Sequence, residues 1–505
     1  MIELADVQAG LFLAFQPASL FWLVTGFVLG LAIGSTPGMS ESTVLAVLLP
    51  FTLYMDPWAA VFMMTGAYVS AEVSGSYPAI LMNIPGTPGC AASTFEGYPL
   101  TQRGEAGQAI GISVTSSAVG TFAGGIGFMV LGPAFGALAL AFGSPEMFML
   151  AVLGMTAVAS LTGASVVKGL ASALLGLLLA SVGLDLFNAL PRATLGFTQI
   201  YDSIPILPAL LGLFGFAEVL NLARREYIVK GEIGRYTGLK APIQGVRIAL
   251  RYPGQLSLAT LIGLGIGIIP GLGATAASVV AYGQARQWSR NPERFGKGAY
   301  EGLVATETAN NAVIPGALIP TFTLGVPGSG TAVLFLAALM LQGVRPGPGF
   351  FVTYGPQAYA VGWSLLISSV LVLLICMPMA GTFARIATVP TRILIPFVVV
   401  ASIAGIYSAR QEPIDAVIMV LFGVLGYLMA ERGYSPVALL LGLILGRLLE
   451  ENFFRSLAVA GPWVFFEKPI SLFLLLLSIS ALAVPLLGSY VRARRARRAA
   501  PHAAR

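Results

Sequence analysis

The chain has 505 residues, 56% of them hydrophobic and only 10% charged, with a mean hydropathy of +0.85. A soluble domain carries about 25% charged residues, so this composition excludes one, and the long unbroken apolar runs exclude a membrane β-barrel in favour of helices. The net charge of +6 belongs to the tail, whose last 14 residues hold six of the 28 Lys and Arg and no acid; it reads as a cytoplasmic stop against anionic lipid rather than a nucleic-acid site.

The fold class expected is an all-α polytopic membrane protein with about 10–12 membrane segments, some short of a full crossing. The 60 Gly and 32 Pro suit close helix contacts and interrupted helices. Cys90 and Cys376 are the only cysteines, and His502, in the tail, is the only histidine. That leaves no disulfide framework, no thiolate metal cluster and no histidine for haem, zinc or a proton relay. No cofactor is expected, unless sodium serves as a coupling ion.

The first 102 residues carry no Lys or Arg. No basic n-region precedes the first apolar run, so a cleaved signal peptide is not expected. A Pro-Gly pair interrupts the next run in "IGSTPGM" (residues 33–39). Glu72 opens an uncharged stretch of 23 residues that closes at Glu96 and contains "NIPGTPG" (residues 83–89). Glu72 either serves that break or sits at an interface. Glu146 and Asp185 are isolated acids that could be buried, with no neighbour to say for what.

Residues 223–254 form the longest polar connection and concentrate positive charge, and residues 286–297 form a second basic cluster. Both are expected on the cytoplasmic side, together with the tail. Between them, residues 252–285 are 34 positions without a charge. As helix they reach about 51 Å, short of two crossings of about 30 Å each plus a turn. The expectation is a re-entrant hairpin broken at Pro270-Gly271, with two short tilted helices as the alternative.

The breaks recur. "IGSTPGM" returns as "IGIIPGL" (residues 266–272) and, more weakly, "NIPGTPG" as "GVPGSGT" (residues 325–331), in the same order. The Pro-Gly pairs lie 48 positions apart in the first half and 57 in the second. The organisation expected is a first membrane repeat over 1–222, a basic cytoplasmic connection over 223–254, a second repeat over 255–490 and a basic cytoplasmic tail over 491–505. Interrupted apolar segments at matching places in two halves point to a transporter binding site.

A Pro-Gly break frees backbone N–H and C=O groups, which in hydrocarbon must face protein, water or ligand. At a half-helix start the freed N–H groups also carry positive dipole and can bind an anion without Lys or Arg. The candidate substrate residues are therefore Asn83, Pro85, Gly86 and Thr87 at one break, and Pro327, Gly328, Ser329 and Thr331 at the other. Alternatively their hydroxyls cap or bridge helices. Glu307, Asn310 and Asn311 fall on one helix face, and an acid in a membrane segment can accept a proton or, with amide oxygens, hold a sodium ion. Glu72 is the second coupling candidate. The bland alternative for Glu307 is an interfacial acid capping the next helix.

These residues also carry a family resemblance. "STPGM", "LLPFTL", "GSYPAILMNIPGTPG", "EGYPLTQRGEAGQAIG", "IIPGLGA", "FGKGAYEGLVATETANNAVIPGALIPTFTLGVPGSGTAVL" and "GVRPGPGF" run nearly end to end. In them the chain resembles the large membrane subunit of the tripartite tricarboxylate transporters, the TctA family. The motif positions are Asn83, Pro85 and Gly86, then Glu307, Asn310, Asn311, Pro327 and Gly328. The resemblance implies secondary uptake of carboxylates across the bacterial inner membrane on a proton or sodium gradient. It also implies a small membrane subunit and a periplasmic solute-binding protein as partners. Val69, Ser70 and Ser74 replace the small or aromatic residues usual there, and Glu96 stands for the usual Asp, so the resemblance implies carboxylates as a class, with citrate not singled out among them.

The expected function is thus gradient-driven uptake of a di- or tricarboxylate by a multi-pass protein with a cytoplasmic C-terminus. The alternative is the membrane subunit of an ATP-driven, binding-protein-dependent importer. The chain has no P-loop and does not hydrolyse ATP itself. An intramembrane enzyme would need a nucleophile with a base, or paired acids, and the sequence offers neither in close spacing.

Overall fold

The computed structural model describes residues 3–36, 39–162, 165–185, 187–224, 238–270, 272–383, 395–396, 399–400, 403, 406–407 and 410–483. The Pro37-Gly38 pair, Gly271, much of the basic connection, and the tail with His502 lie outside the described residues. Among those described, the only strands are the two-residue pieces Gly183–Leu184 and Pro191–Arg192, paired antiparallel. The all-α expectation is met.

The chain forms two compact units, Met1–Ala141 with Leu207–Tyr427, and Phe142–Ile206 with Leu428–Arg505. In the first lie α1 (Leu4–Ala14), α2 (Pro17–Gly34), α3 (Glu41–Thr52), α4 (Pro57–Met82), α5 (Thr94–Gln102) and α6 (Ala106–Ala139). The second unit begins with α7 (Ser144–Thr162) and α8 (Val166–Ala180), which pack on the helix Pro436–Ala460. The first unit resumes with α9 (Ile206–Leu210) and α10 (Ala217–Ala223), joined through a π-helical stretch. It continues through α11 (Lys240–Ala249), α12 (Pro253–Ile268), α13 (Gly273–Trp288), α14 (Tyr300–Leu324) and α15 (Gly330–Leu341). Its labelled helices end with α16 (Phe350–Thr353), α17 (Gly355–Leu371) and α18 (Met377–Phe383). Among the described residues, four helices are long and apolar enough to cross a bilayer: Pro17–Gly34, Ala106–Ala139, Gly355–Ala380 and Pro413–Glu431.

Local chemistry sets the helix starts. Pro17 and Pro57 occupy first-turn positions where no N–H is needed. The Asp56 carboxylate receives the N–H groups of Trp58 and Ala59 (2.9 and 3.3 Å), and Ser40 Oγ receives that of Thr43 (3.3 Å). Such caps stabilise a helix by about 1 kcal/mol each.

α12 and α13 pack on one another and both pack on α14. Each has 16 residues, about 24 Å of helix, so neither spans a hydrocarbon core of about 30 Å. The stretch around Pro270 is thus a helix, a break and a helix, folded back on itself.

α4 and α14 form the middle of the first unit. They are buried on every face, over residues 60–81 and 302–323. A helix without a polar stripe has to be wrapped by others, and α4 packs chiefly on α2, while α14 packs chiefly on α6 and α12. Small residues allow this. A Cβ on Gly26, Gly30 or Gly34 of α2 would fall 1.9–2.6 Å from atoms of Met63, Ser70 and Ser74 on α4. On α12, Gly263 and Gly267 meet the Ala309 and Val313 carbonyls in the same way, at 2.4 and 2.6 Å. Four-residue spacing of glycines is how membrane helices bring their backbones together.

Both central helices end alike. Asn83 (φ 58°) and Gly325 (φ 68°) close α4 and α14 in the left-handed conformation. The following N–H donates to the carbonyl of a proline six positions back: Ile84 to Pro78 (3.2 Å) and Val326 to Pro320 (3.3 Å). A Pro-Gly segment follows in each case.

Candidate functional site

Glu307 lies in the third turn of α14, fully buried. It is neither interfacial nor a cap. Its Oε2 accepts hydrogen bonds from Ser76 Oγ on α4 (2.9 Å) and Ser117 Oγ on α6 (3.1 Å). Asn311, one turn on, donates to Ser117 Oγ (2.8 Å) and to the Glu307 carbonyl (3.0 Å). The Ser93 and Ser113 hydroxyls also face the carboxylate, outside hydrogen-bonding geometry. Glu307 Oε1 and Asn311 Oδ1 are buried without a partner. Three helices and the turn after the first break thus converge side-chain oxygens on one point.

Glu72, in the middle of α4, is 1% exposed, which removes the interfacial reading. Its Oε1 accepts from Thr87 Oγ1 (2.9 Å). Thr87 also contacts Cys90 Sγ (3.0 Å), which lies 3.2 Å from Ser76 Oγ and 3.5 Å from Asn310 Nδ2. A continuous polar chain therefore joins Glu72 to Glu307 through Cys90 and Ser76. Gly89 stands at its centre, where a Cβ would meet Asn310 Oδ1 at 2.1 Å and Glu72 Oε1 at 2.5 Å. The Gly89 carbonyl accepts from Ser278 Oγ of α13 (2.9 Å), so the first break rests on the second half's hairpin.

The second break rests on the first half in the same crosswise manner. Ser329 caps α15 through Ala332 N–H (3.1 Å) and lies 3.1 Å from Tyr68 Oη of α4. Thr331 Oγ1 donates to Glu41 Oε1 (2.8 Å) and lies 2.9 Å from Ser42 Oγ, both on α3. Pro327 and Gly328 are buried, and a Cβ on Gly328 would press on Gly267 O at 2.4 Å. Gly86 packs likewise on Gly75, to whose carbonyl its N–H donates (3.0 Å). Asn83 and Pro85 are exposed at the end of α4.

The structure thus brings Thr87, Glu72, Glu307, Asn310 and Asn311 together, sets Ser329 and Thr331 in a second cluster, and leaves Asn83 and Pro85 at the rim. Sequence reasoning passed over Glu41, Ser42, Tyr68, Ser76, Cys90, Ser117 and Ser278. Glu41 carried a usable signal, three residues after the Pro37-Gly38 pair. No ion pair among the described residues reaches Glu41, Glu72 or Glu307.

The other singled-out acids are structural in their contacts. Glu96 is fully buried and accepts from Gly296, Gly298 and Ala299 N–H (2.6, 2.7 and 2.7 Å) and from Tyr282 Oη (2.8 Å). It ties α5 to the start of α14. In the second unit, Glu146 is buried beside Lys468 (3.6 Å). Asp185 accepts from Asn188 and Phe187 N–H (2.8 and 2.9 Å), which hold its carboxyl below the usual range, and pairs with Arg192 (3.3 Å).

Residues 20–441 match the family described as the tripartite tricarboxylate transporter TctA family. The chain belongs to that family. A 52.8 kDa uncharacterized protein of the TAR-I ttuC' 3' region of Agrobacterium vitis is 33% identical over 497 residues, 97% of this chain and 98% of its own length. A second, from the TAR-II region of the same organism, is 34% identical over 232 residues, 46% of this chain and 96% of its own. No solved structure matches. As a TctA-family chain it is the large membrane subunit of a tripartite tricarboxylate transporter, a transporter family rather than an enzyme family.

Proposed function

We propose that this TctA-family chain takes up a di- or tricarboxylate across the bacterial inner membrane by secondary active transport. A proton or sodium gradient drives it, a periplasmic solute-binding protein delivers the substrate, and a small membrane subunit completes the assembly. The basic connection and the C-terminal tail face the cytoplasm. The two halves act as repeats, with the hairpin and the Pro-Gly segments moving against the remaining helices in alternating access.

The observation that carries this reading is the oxygen cluster around Glu307, beside the first broken segment and without a cation among the described residues. A buried carboxylate without a cationic partner is expensive unless a proton or a bound cation neutralises it. Hydroxyl and amide oxygens beside it suit a hard cation such as sodium. The start of α15 adds freed N–H groups and positive dipole for an anion. Substrate and coupling ion then offset one another's charge, which is why each would favour binding of the other.

The test is uptake of labelled di- and tricarboxylates into vesicles carrying all three components, under separately imposed proton and sodium gradients, with wild type and Glu307→Gln. Uptake that follows a gradient without ATP and falls by about tenfold or more in the variant, the loss of one charge-assisted interaction, is the expected result. Uptake that needs ATP and ignores both gradients would promote the ATP-driven importer. Gradient-driven uptake untouched by the substitution would return Glu307 to a structural role.

A further inference from the structure

Glu41 is the acidic group that the reading above does not use. It stands in the first turn of α3, partly accessible, with Oε2 buried and without a partner. Its Oε1 takes the proton of Thr331 Oγ1 (2.8 Å), and Ser42 Oγ lies on the other side of that hydroxyl (2.9 Å). Thr331 is the second residue of α15 and only 2% exposed. The N-terminal ends of α3 and α15 therefore meet on one carboxylate. At the other break Thr87 donates to Glu72 in the same way (2.9 Å). Each break has a threonine, and each threonine is held by a glutamate of the first half.

A hydroxyl has one proton to donate. While Thr331 gives it to Glu41 Oε1, it cannot give it to the carboxylate of a bound substrate. A proton on Glu41 reverses the bond. The neutral carboxyl has its own O–H to donate to Thr331 Oγ1, and the threonine proton is free to turn to the substrate. The same proton removes a negative charge from beside an incoming anion.

We propose that Glu41 is a proton-binding residue that competes with the transported carboxylate for the Thr331 hydroxyl, so that binding at the second break takes up one proton. The inference rests on the transport reading above and adds to it a residue and an ion. The titratable groups facing Glu41 from the elements packed on α3 are Tyr68 and Glu72 of α4. α2, α15 and the stretch 211–216 present none, and α10, whose Val219 packs on Val47 of α3, carries Glu218.

The sign follows from the competition. At low pH Glu41 is neutral, Thr331 is free and substrate binds tightly. As pH rises through the titration of Glu41, affinity falls, by about tenfold per pH unit for one linked proton. The experiment is counterflow of labelled citrate in proteoliposomes containing the whole complex, as a function of pH. Glu41→Gln should keep the low-pH KM throughout, and its difference from wild type removes the titration of citrate itself. Thr331→Val should show a raised KM at every pH, and Thr331→Ser, which keeps the hydroxyl, should restore the wild-type profile. A Glu41→Gln protein with the wild-type pH dependence overturns the proposal, as does a Thr331→Val protein with the wild-type KM at every pH. Infrared titration of the substrate-free complex separates this from the transport reading. If wild type exchanges no citrate, a protonated-carboxyl band that titrates in wild type and is missing from Glu41→Gln still supports the proton on Glu41. Identical spectra overturn it.

Discussion

Gly89 shows how much of the cluster depends on one missing methyl group. Its Cα lies among Glu72, Asn310 and Ala274 of α13, with 2.1 Å left between a Cβ and Asn310 Oδ1. Gly89→Ala would have to push the Asn310 and Glu72 side chains aside in a site with no slack. Overpacking of this kind costs roughly 1–3 kcal/mol, and here it displaces polar groups that hold one another. The expected outcome is a lower thermal midpoint in detergent together with a large loss of uptake; unchanged uptake would mean that the placement of Glu72 and Asn310 around Gly89 is dispensable. The acids and amides of this cluster stood out in the sequence because a lone charge in an apolar run is a functional candidate, with an interfacial acid as its alternative. Its serines were not. Ser76 and Ser117 reach Glu307 across 231 and 190 positions, and a serine in a membrane helix is ordinary until a fold brings it to a carboxylate.

At the level of elements, the breaks were legible and their construction was not. Pro and Gly in an apolar run announce an interruption, but Asn83 and Gly325 differ as residues while performing the same left-handed closure. Nor did the sequence distinguish glycines that break helices from glycines that join them. The stripe on α2 is of the second kind. Gly30→Val would place a side chain 2.3 Å from Ser70 Oγ and 2.5 Å from the Ala67 carbonyl. A carbonyl cannot rotate away as a side-chain tip can, so α2 and α4 must separate. The expected cost is again roughly 1–3 kcal/mol, read as a lower thermal midpoint. Gly254→Ala is the control: it lies in the first turn of α12 with nothing within 4 Å of its Cβ position, and it should leave the midpoint unchanged or slightly higher. Equal losses in both variants would mean that the α2–α4 approach does not decide the result, because both substitutions raise helix propensity.

For the whole molecule the question is whether the crosswise packing opens. Each break is held by the other half: Gly89 by Ser278, and Thr331 by Glu41 and Ser42. If the halves move against each other during transport, these contacts are the ones that must part, and Cys90 lies among them. Its thiol is buried, and Cys376, the second cysteine, can be replaced by serine to leave it as a single probe. In Cys376→Ser, a membrane-permeant maleimide should react slowly with Cys90 at rest. The rate should change severalfold when substrate and the driving gradient are supplied together, because exchange between states exposes the cluster in one of them. A rate indifferent to substrate and gradient, in vesicles that are transporting, would mean that the break–hairpin contacts stay closed through the cycle. The moving boundary would then lie elsewhere, among contacts that no local pattern records. The grouping of residues 142–206 with 428–505 into one unit is of that kind. It arises from α7 and α8 packing on a helix that begins more than 250 positions further along the chain, and neither composition nor periodicity carries information over that distance.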